Sequence, residues 1–87
     1  MQTPHYRTMI TELLSDSPLD REDVVNNVKE FLKVGEYALA FDTLCSWIYE
    51  DDLPISSAYH ERLSELAEDL GAVELTEDLR AQITEAG

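Results

Sequence analysis

Between Gly35 and Pro54 the stretch Tyr37-Ala-Leu-Ala-Phe-Asp-Thr-Leu-Cys-Ser-Trp-Ile-Tyr49 is apolar around most of a helical circumference. A run this long and apolar, bounded by a glycine and a proline, predicts a helix that other helices must wrap. It therefore predicts the centre of a bundle. On a wheel of about 100° per residue, Tyr37, Ala40, Phe41, Leu44 and Ile48 cluster on one side, flanked by Trp47 and Cys45. The opposite side carries Leu39, Asp42, Ser46, Tyr49 and Glu50. Periodicity leaves two placements for Leu39 and Tyr49: free on an outer face, or covered because the helix is surrounded on every side.

The flanking segments supply the wrapping. From Pro4 to Leu14, residues Tyr6, Met9, Ile10, Leu13 and Leu14 recur at helical spacing and predict a short amphipathic helix. It stops in Ser15-Asp16-Ser17-Pro18, where Ser17 is expected to cap a second helix, with Pro18 in its first turn and Asp20 near its positive end. That helix carries the stripe Val24, Val25, Val28, Phe31 and Leu32 and is expected to end near Val34. Gly35 suits the left-handed residue past its end, and Lys29 and Lys33 suit its negative pole. Beyond Pro54, Ser56 is the expected cap of a fourth helix with apolar positions Tyr59, Leu63, Leu66, Ala67 and Leu70, closed by Gly71. The tail predicts a short fifth helix capped by Thr76 and anchored by Leu79 and Ile83. No stretch alternates apolar and polar residues as a half-buried strand does. Eighty-seven residues support one hydrophobic core. The expectation is an all-α, single-domain bundle of four to five helices over residues 1–87.

Charge then narrows the partners. Nineteen Asp and Glu against six Lys and Arg leave a net charge of −13. Such a field repels phosphate backbones and anionic lipid headgroups, which argues against direct contact with nucleic acid or a membrane surface. A basic protein surface is the natural counterpart, since opposite potentials speed encounter. The plainer alternative is that the acids only solvate the surface. The opening residues Met1 to Arg7 hold no apolar run of the length a signal peptide or a span requires, which points to the cytoplasm.

Catalytic chemistry has few candidates. The histidines are His5 and His60, and together with the single Cys45 they are too few and too scattered for a structural zinc site. Cys45 sits among core positions, as a buried inert thiol does. The three glycines build no phosphate loop, and Glu50-Asp51-Asp52 lacks the alternating ligands and turning glycine of a calcium loop. No enzyme, cofactor or metal is expected. Asp16-Ser17-Pro18-Leu19 resembles the Asp-Ser-Leu site at which acyl carrier proteins are modified. A proline interrupts the tripeptide, however, and only sixteen residues precede the serine. The helix-cap reading of Ser17 is the stronger one.

The most distinctive texture lies in Gly35-Glu36-Tyr37-Ala38-Leu39-Ala40, Leu44-Cys45, Tyr49-Glu50 and Pro54-Ile55-Ser56. This segment, about Val24 to Gly71, resembles the MafI-type immunity family of bacterial polymorphic-toxin systems. The resemblance implies a cytoplasmic antitoxin that binds the C-terminal toxic domain, often a nuclease, of a secreted effector and performs no chemistry itself. Other readings of the same acidity are a different protein-binding module, such as a nucleic-acid mimic or an adaptor, and more distantly a carrier protein. For binding, the expected contacts are side chains the core does not need: Leu39, Asp42, Ser46, Tyr49 and Glu50 on the outer side of the third helix, extended by Asp51 and Asp52.

Overall fold

A computed structural model describes residues 5–84. Five helices follow one another: α1 (Tyr6–Ser15), α2 (Glu22–Lys33), α3 (Tyr37–Glu50), α4 (Ser57–Leu70) and α5 (Val73–Asp78), with a closing 3-10 turn, Leu79–Gln82. The protein is an all-α bundle. The expected start of the first helix at Pro4 lies outside the described residues.

The core forms around α3. Ala40, Phe41, Leu44 and Ile48 are fully buried and Cys45 nearly so. They pack in one cluster with Ile10, Leu13 and Leu14 of α1, Val28 and Leu32 of α2, Leu63, Leu66 and Ala67 of α4, and Leu79. Helix α2 makes the broadest contact with α3, while α1, α5 and the 3-10 turn cover further flanks. Helix α4 leans mainly on α1 and α5. The fold is only 20 Å across its thinnest direction. Two layers of helices about 10 Å apart fill that thickness, so no helix is enclosed on every side.

Helix ends follow local chemistry in part. Ser56 is the predicted cap of α4, its Oγ accepting the Tyr59 N–H at 3.0 Å. Gly35 and Gly71 terminate α2 and α4 in the left-handed region, at φ 80° and 68°. Ser17 corrects an expectation: α2 begins at Glu22 behind Arg21, and no side chain caps it. The Ser17 hydroxyl instead donates to the Leu14 carbonyl at 2.7 Å and accepts from the Leu19 N–H at 3.3 Å. An orphan carbonyl at the end of α1 is nearer than the start of α2 and captures it. Thr76 corrects another. It lies inside α5, 2% exposed, with its hydroxyl turned back to the Val73 carbonyl at 2.8 Å. The Gly71 turn delivers the chain into a helix already at Val73, four residues earlier than a Thr76 cap would allow.

The last apolar pair also divides. Leu79 is buried where it opens the 3-10 turn, whereas Ile83 follows that turn in extended conformation. There Ile83 pairs with Ile55 in an isolated parallel bridge, with Ile55 N–H donating to the Gln82 carbonyl at 3.1 Å and Thr84 N–H to the Ile55 carbonyl at 2.8 Å. The tail is thus clasped to the α3–α4 connection by backbone bonds.

Two substitutions test this account by urea unfolding. Leu44→Ala, at a site with no exposure, is expected to cost about 2–5 kcal/mol. Ser56→Ala removes the α4 cap and is expected to cost about 1 kcal/mol. A Leu44→Ala loss below the Ser56→Ala loss would contradict the placement of α3 at the centre.

Candidate functional site

The outer side of α3 stays open. Leu39 is 46% and Tyr49 52% exposed, and about 15 Å of helix separates them. Between them Asp42 is exposed and Ser46 half-buried, joined by a Ser46 Oγ donation to Asp42 Oδ1 at 2.8 Å. Glu50 continues the face and Asp52 lies just past the helix end, both exposed. Asp51 is the exception among the expected contacts. It is half-buried and turned toward α2, with its Oδ1 3.7 Å from Arg21 Nη1. The same guanidinium lies 4.6 Å from the centre of the Trp47 ring. A cation seated on an aromatic ring and facing a carboxylate therefore closes this flank of α3 from within the chain.

The other flank is open and includes residues that periodicity alone did not single out. A groove of about 440 Å³ runs along the end of α3, lined by Tyr49, Glu50, Asp52, Asp78, Ala81 and Gln82. A smaller recess beside it, about 130 Å³, adds Ser46, Cys45 and Leu75. Gln82 fixes the geometry: 8% exposed, its Nε2 donates to the Ile48 carbonyl at 2.8 Å and the Leu53 carbonyl at 2.9 Å. These bonds hold the tail, and with it Asp78, against the end of α3. No local signal marks Asp78 or Gln82, because their importance arises from how the tail docks.

The termination of α3 carries a conformational conflict. Leu53 N–H reaches back to the Ile48 carbonyl at 3.0 Å and Asp52 N–H to the Tyr49 carbonyl at 3.0 Å. This hydrogen-bonded ending places its C′ residue in the left-handed region. At the corresponding position of α2 stands Gly35, but here it is Asp52, at φ 51°. Asp tolerates that region better than most residues yet less well than glycine. Its charge, with Glu50 and Asp51, also opposes the negative pole of α3.

The basic side chains leave this face unneutralised. Arg7 donates to the Leu32 carbonyl, Arg21 meets Asp23 and Asp51, Lys33 meets Glu30, Arg62 meets Asp16, and Arg80 meets Glu77. Lys29 lines a separate groove between α1 and α2. No ion pair among the described residues reaches Asp42, Glu50, Asp52 or Asp78.

Reactive groups are committed elsewhere. Burial, reinforced by the nearby negative charge of Asp42, pushes the Cys45 thiol from 9.0 up to about 12. His60 is buried, with Nε2 2.7 Å from the Thr76 carbonyl and Nδ1 3.5 Å from Ser64 Oγ. His5 is exposed just before α1. Among the described residues no three His, Cys, Asp or Glu converge as a metal site, and no helix is long and apolar enough to cross a membrane. Compared with family models, curated proteins and solved structures, the chain matches none.

Two outcomes follow from this chemistry. Asp52→Gly is expected to stabilise the fold by about 0.5–1 kcal/mol in urea unfolding; no gain would mean that φ 51° carries no strain. The folded chain retains the Cys45 proton above pH 9.0, where the unfolded chain releases it. Stability is therefore full below pH 9.0 and falls as pH rises toward 12. Burial moves Tyr59 upward from 10.0 as well, adding a loss of the same sign at higher pH. Urea unfolding between pH 8 and pH 10.5 should show the decline, and Cys45→Ala should remove the part beginning near pH 9.

Proposed function

We propose that this protein is a cytoplasmic immunity protein, which binds and neutralises the toxic domain of a cognate secreted toxin, a nuclease with a basic surface. Binding uses the outer face of α3. The observation that carries the reading is the pairing of two exposed apolar anchors, Leu39 and Tyr49, with carboxylates that no ion pair among the described residues neutralises, Asp42, Glu50 and Asp52.

Side chains presented on a regular helix come with a backbone already ordered, so binding costs only their own rotamer freedom, and aromatic anchors dominate interface energetics. Unneutralised carboxylates around them accelerate encounter with a basic surface and disfavour other partners. A nuclease presents such a surface where it holds nucleic acid phosphates. The resemblance of residues 24–71 to MafI-type immunity proteins supports the same assignment. Within the face, Leu39 and Tyr49 supply apolar contact, Asp42, Glu50 and Asp52 supply charge, and Ser46 holds the Asp42 carboxylate in place. Asp51 contributes less, because Arg21 already occupies it.

The test is co-expression with the toxic domain encoded beside this gene, followed by association kinetics with the purified domain. Rescue of growth and salt-sensitive binding are expected. Asp42→Lys and Glu50→Lys should each slow association several-fold at low salt while leaving the helical circular dichroism unchanged, with the effect fading near 1 M salt. Leu39→Ala and Tyr49→Ala should act mainly by speeding dissociation. Absence of binding at low salt sinks the immunity reading; unaltered association rates in both lysine variants remove this face from it.

A further inference from the structure

We propose that the groove between α1 and α2 receives an acidic amphipathic helix of a second protein partner, at a site separate from the α3 face. The groove has a volume of about 260 Å³; α1 contributes Thr11, Leu14 and Ser15 to it, and α2 contributes Val25, Lys29 and Leu32. Leu14 and Leu32 form an apolar floor continuous with the core, Val25 is half-buried and Lys29 is exposed. None of the six is a carboxylate, in a chain where Asp and Glu fill nineteen of 87 positions. The one acid of α1, Glu12, lines a recess on the other flank with Arg62 and Glu65. On α2, Asp23 and Glu30 meet Arg21 and Lys33, and Glu22 is exposed outside the lining. The cations divide in the same way. Among the described residues Arg21, Lys33, Arg62 and Arg80 pair with carboxylates, whereas Arg7 and Lys29 pair with none. Both belong to this groove: Lys29 lines it, and Arg7 donates through Nε and Nη2 to the Leu32 carbonyl at 3.2 and 3.0 Å.

Two positive charges without a counter-charge beside an apolar floor select the occupant. A basic surface of the kind proposed for the α3 face is repelled here, whereas carboxylates flanking apolar side chains match both the floor and the cations. Val25 to Leu32 spans about 10 Å, or two turns of helix. Two helices form the walls, so apolar side chains one turn apart on an entering helix fit between them. A helix also satisfies its own backbone groups over the apolar floor, which an extended segment does not. A short acidic segment meets far less long-range repulsion than a second copy of this chain, at a net charge of −13, would meet.

The experiment is a nuclear magnetic resonance titration of the full chain with a capped helical peptide bearing leucines at positions i, i+3, i+4 and i+7 and glutamates elsewhere. Physiological salt screens the more distant carboxylates beyond about 8 Å. Saturable shifts are expected at the backbone amides of Thr11, Ser15, Val25 and Lys29. The same peptide with glutamine for glutamate should bind several-fold more weakly, and with serine for leucine it should leave these amides unmoved. Lys29→Gln should weaken binding at least threefold, and Thr11→Glu, which brings a carboxylate to the exposed rim, should abolish it with the helical circular dichroism unchanged. Arg80→Gln removes the same charge far from the groove and should leave binding as it was. Shifts that do not saturate, equal binding of the glutamine peptide, or equal weakening by Lys29→Gln and Arg80→Gln would overturn the proposal. So would concentration-dependent shifts of the same amides without peptide, which would assign the groove to a second copy of the chain.

Discussion

The structure depends on one strip of α3 being sealed from water. Ala40, Phe41, Leu44, Cys45 and Ile48 lie along it, and each neighbouring helix contributes apolar side chains to the same cluster. Each large side chain so buried contributes about 1.5–3 kcal/mol of transfer free energy. A chain this short has no second core to compensate if the strip fails. The same strip determines what remains outside. Sealing the side of α3 that holds Phe41 and Leu44 leaves the side that holds Leu39, Asp42 and Glu50 exposed among the described residues, because the bundle is two layers thick. Core and candidate binding face are consequences of one orientation of one helix.

The tail turns that open face into a shaped one. Gln82 is polar yet almost fully buried, a placement that normally costs free energy unless its hydrogen bonds are met. Here its two donated bonds satisfy the Ile48 carbonyl near the end of α3 and the Leu53 carbonyl beyond it. The Ile55–Ile83 bridge adds backbone bonds on the same segment. Together they hold Asp78 and Ala81 beside Tyr49 and Glu50, converting a helix end into a groove.

Much of this architecture was legible in the residues. The α2 and α3 stripes, the Gly35 and Gly71 stops and the Ser56 cap follow from periodicity and backbone chemistry and stand where those rules place them. The outer face of α3 could be named from the wheel, but its exposure could not, because a wheel does not say how many neighbours a helix acquires. Ser17 and Thr76 were legible only as residues able to cap. Each had a nearer backbone carbonyl within reach of its hydroxyl, and that local competition decided both. Asp78 and Gln82 lay beyond sequence rules altogether. Their positions follow from a 3-10 turn and a backbone bridge that join residues far apart in the chain.

The three helix endings give the clearest physical reason to regard the end of α3 as selected for something other than stability. At α2 and α4 the left-handed residue is glycine, the choice with least steric cost. At α3 the same hydrogen-bonded ending holds Asp52, flanked by Glu50 and Asp51 at the negative pole of the helix. Backbone strain and dipole repulsion both act against the fold there. The Arg21–Asp51 pair relieves little, since both side chains keep solvent contact, at 43% and 29% exposure, and such a pair is worth about 0–1 kcal/mol. Natural sequences agree across levels nearly everywhere, and the places where local rules are broken are enriched in functional sites. A chain that uses glycine at two helix ends and an acid at the third has concentrated its conflict beside Tyr49 and the groove, the same end of α3 that carries the exposed carboxylates Glu50 and Asp52.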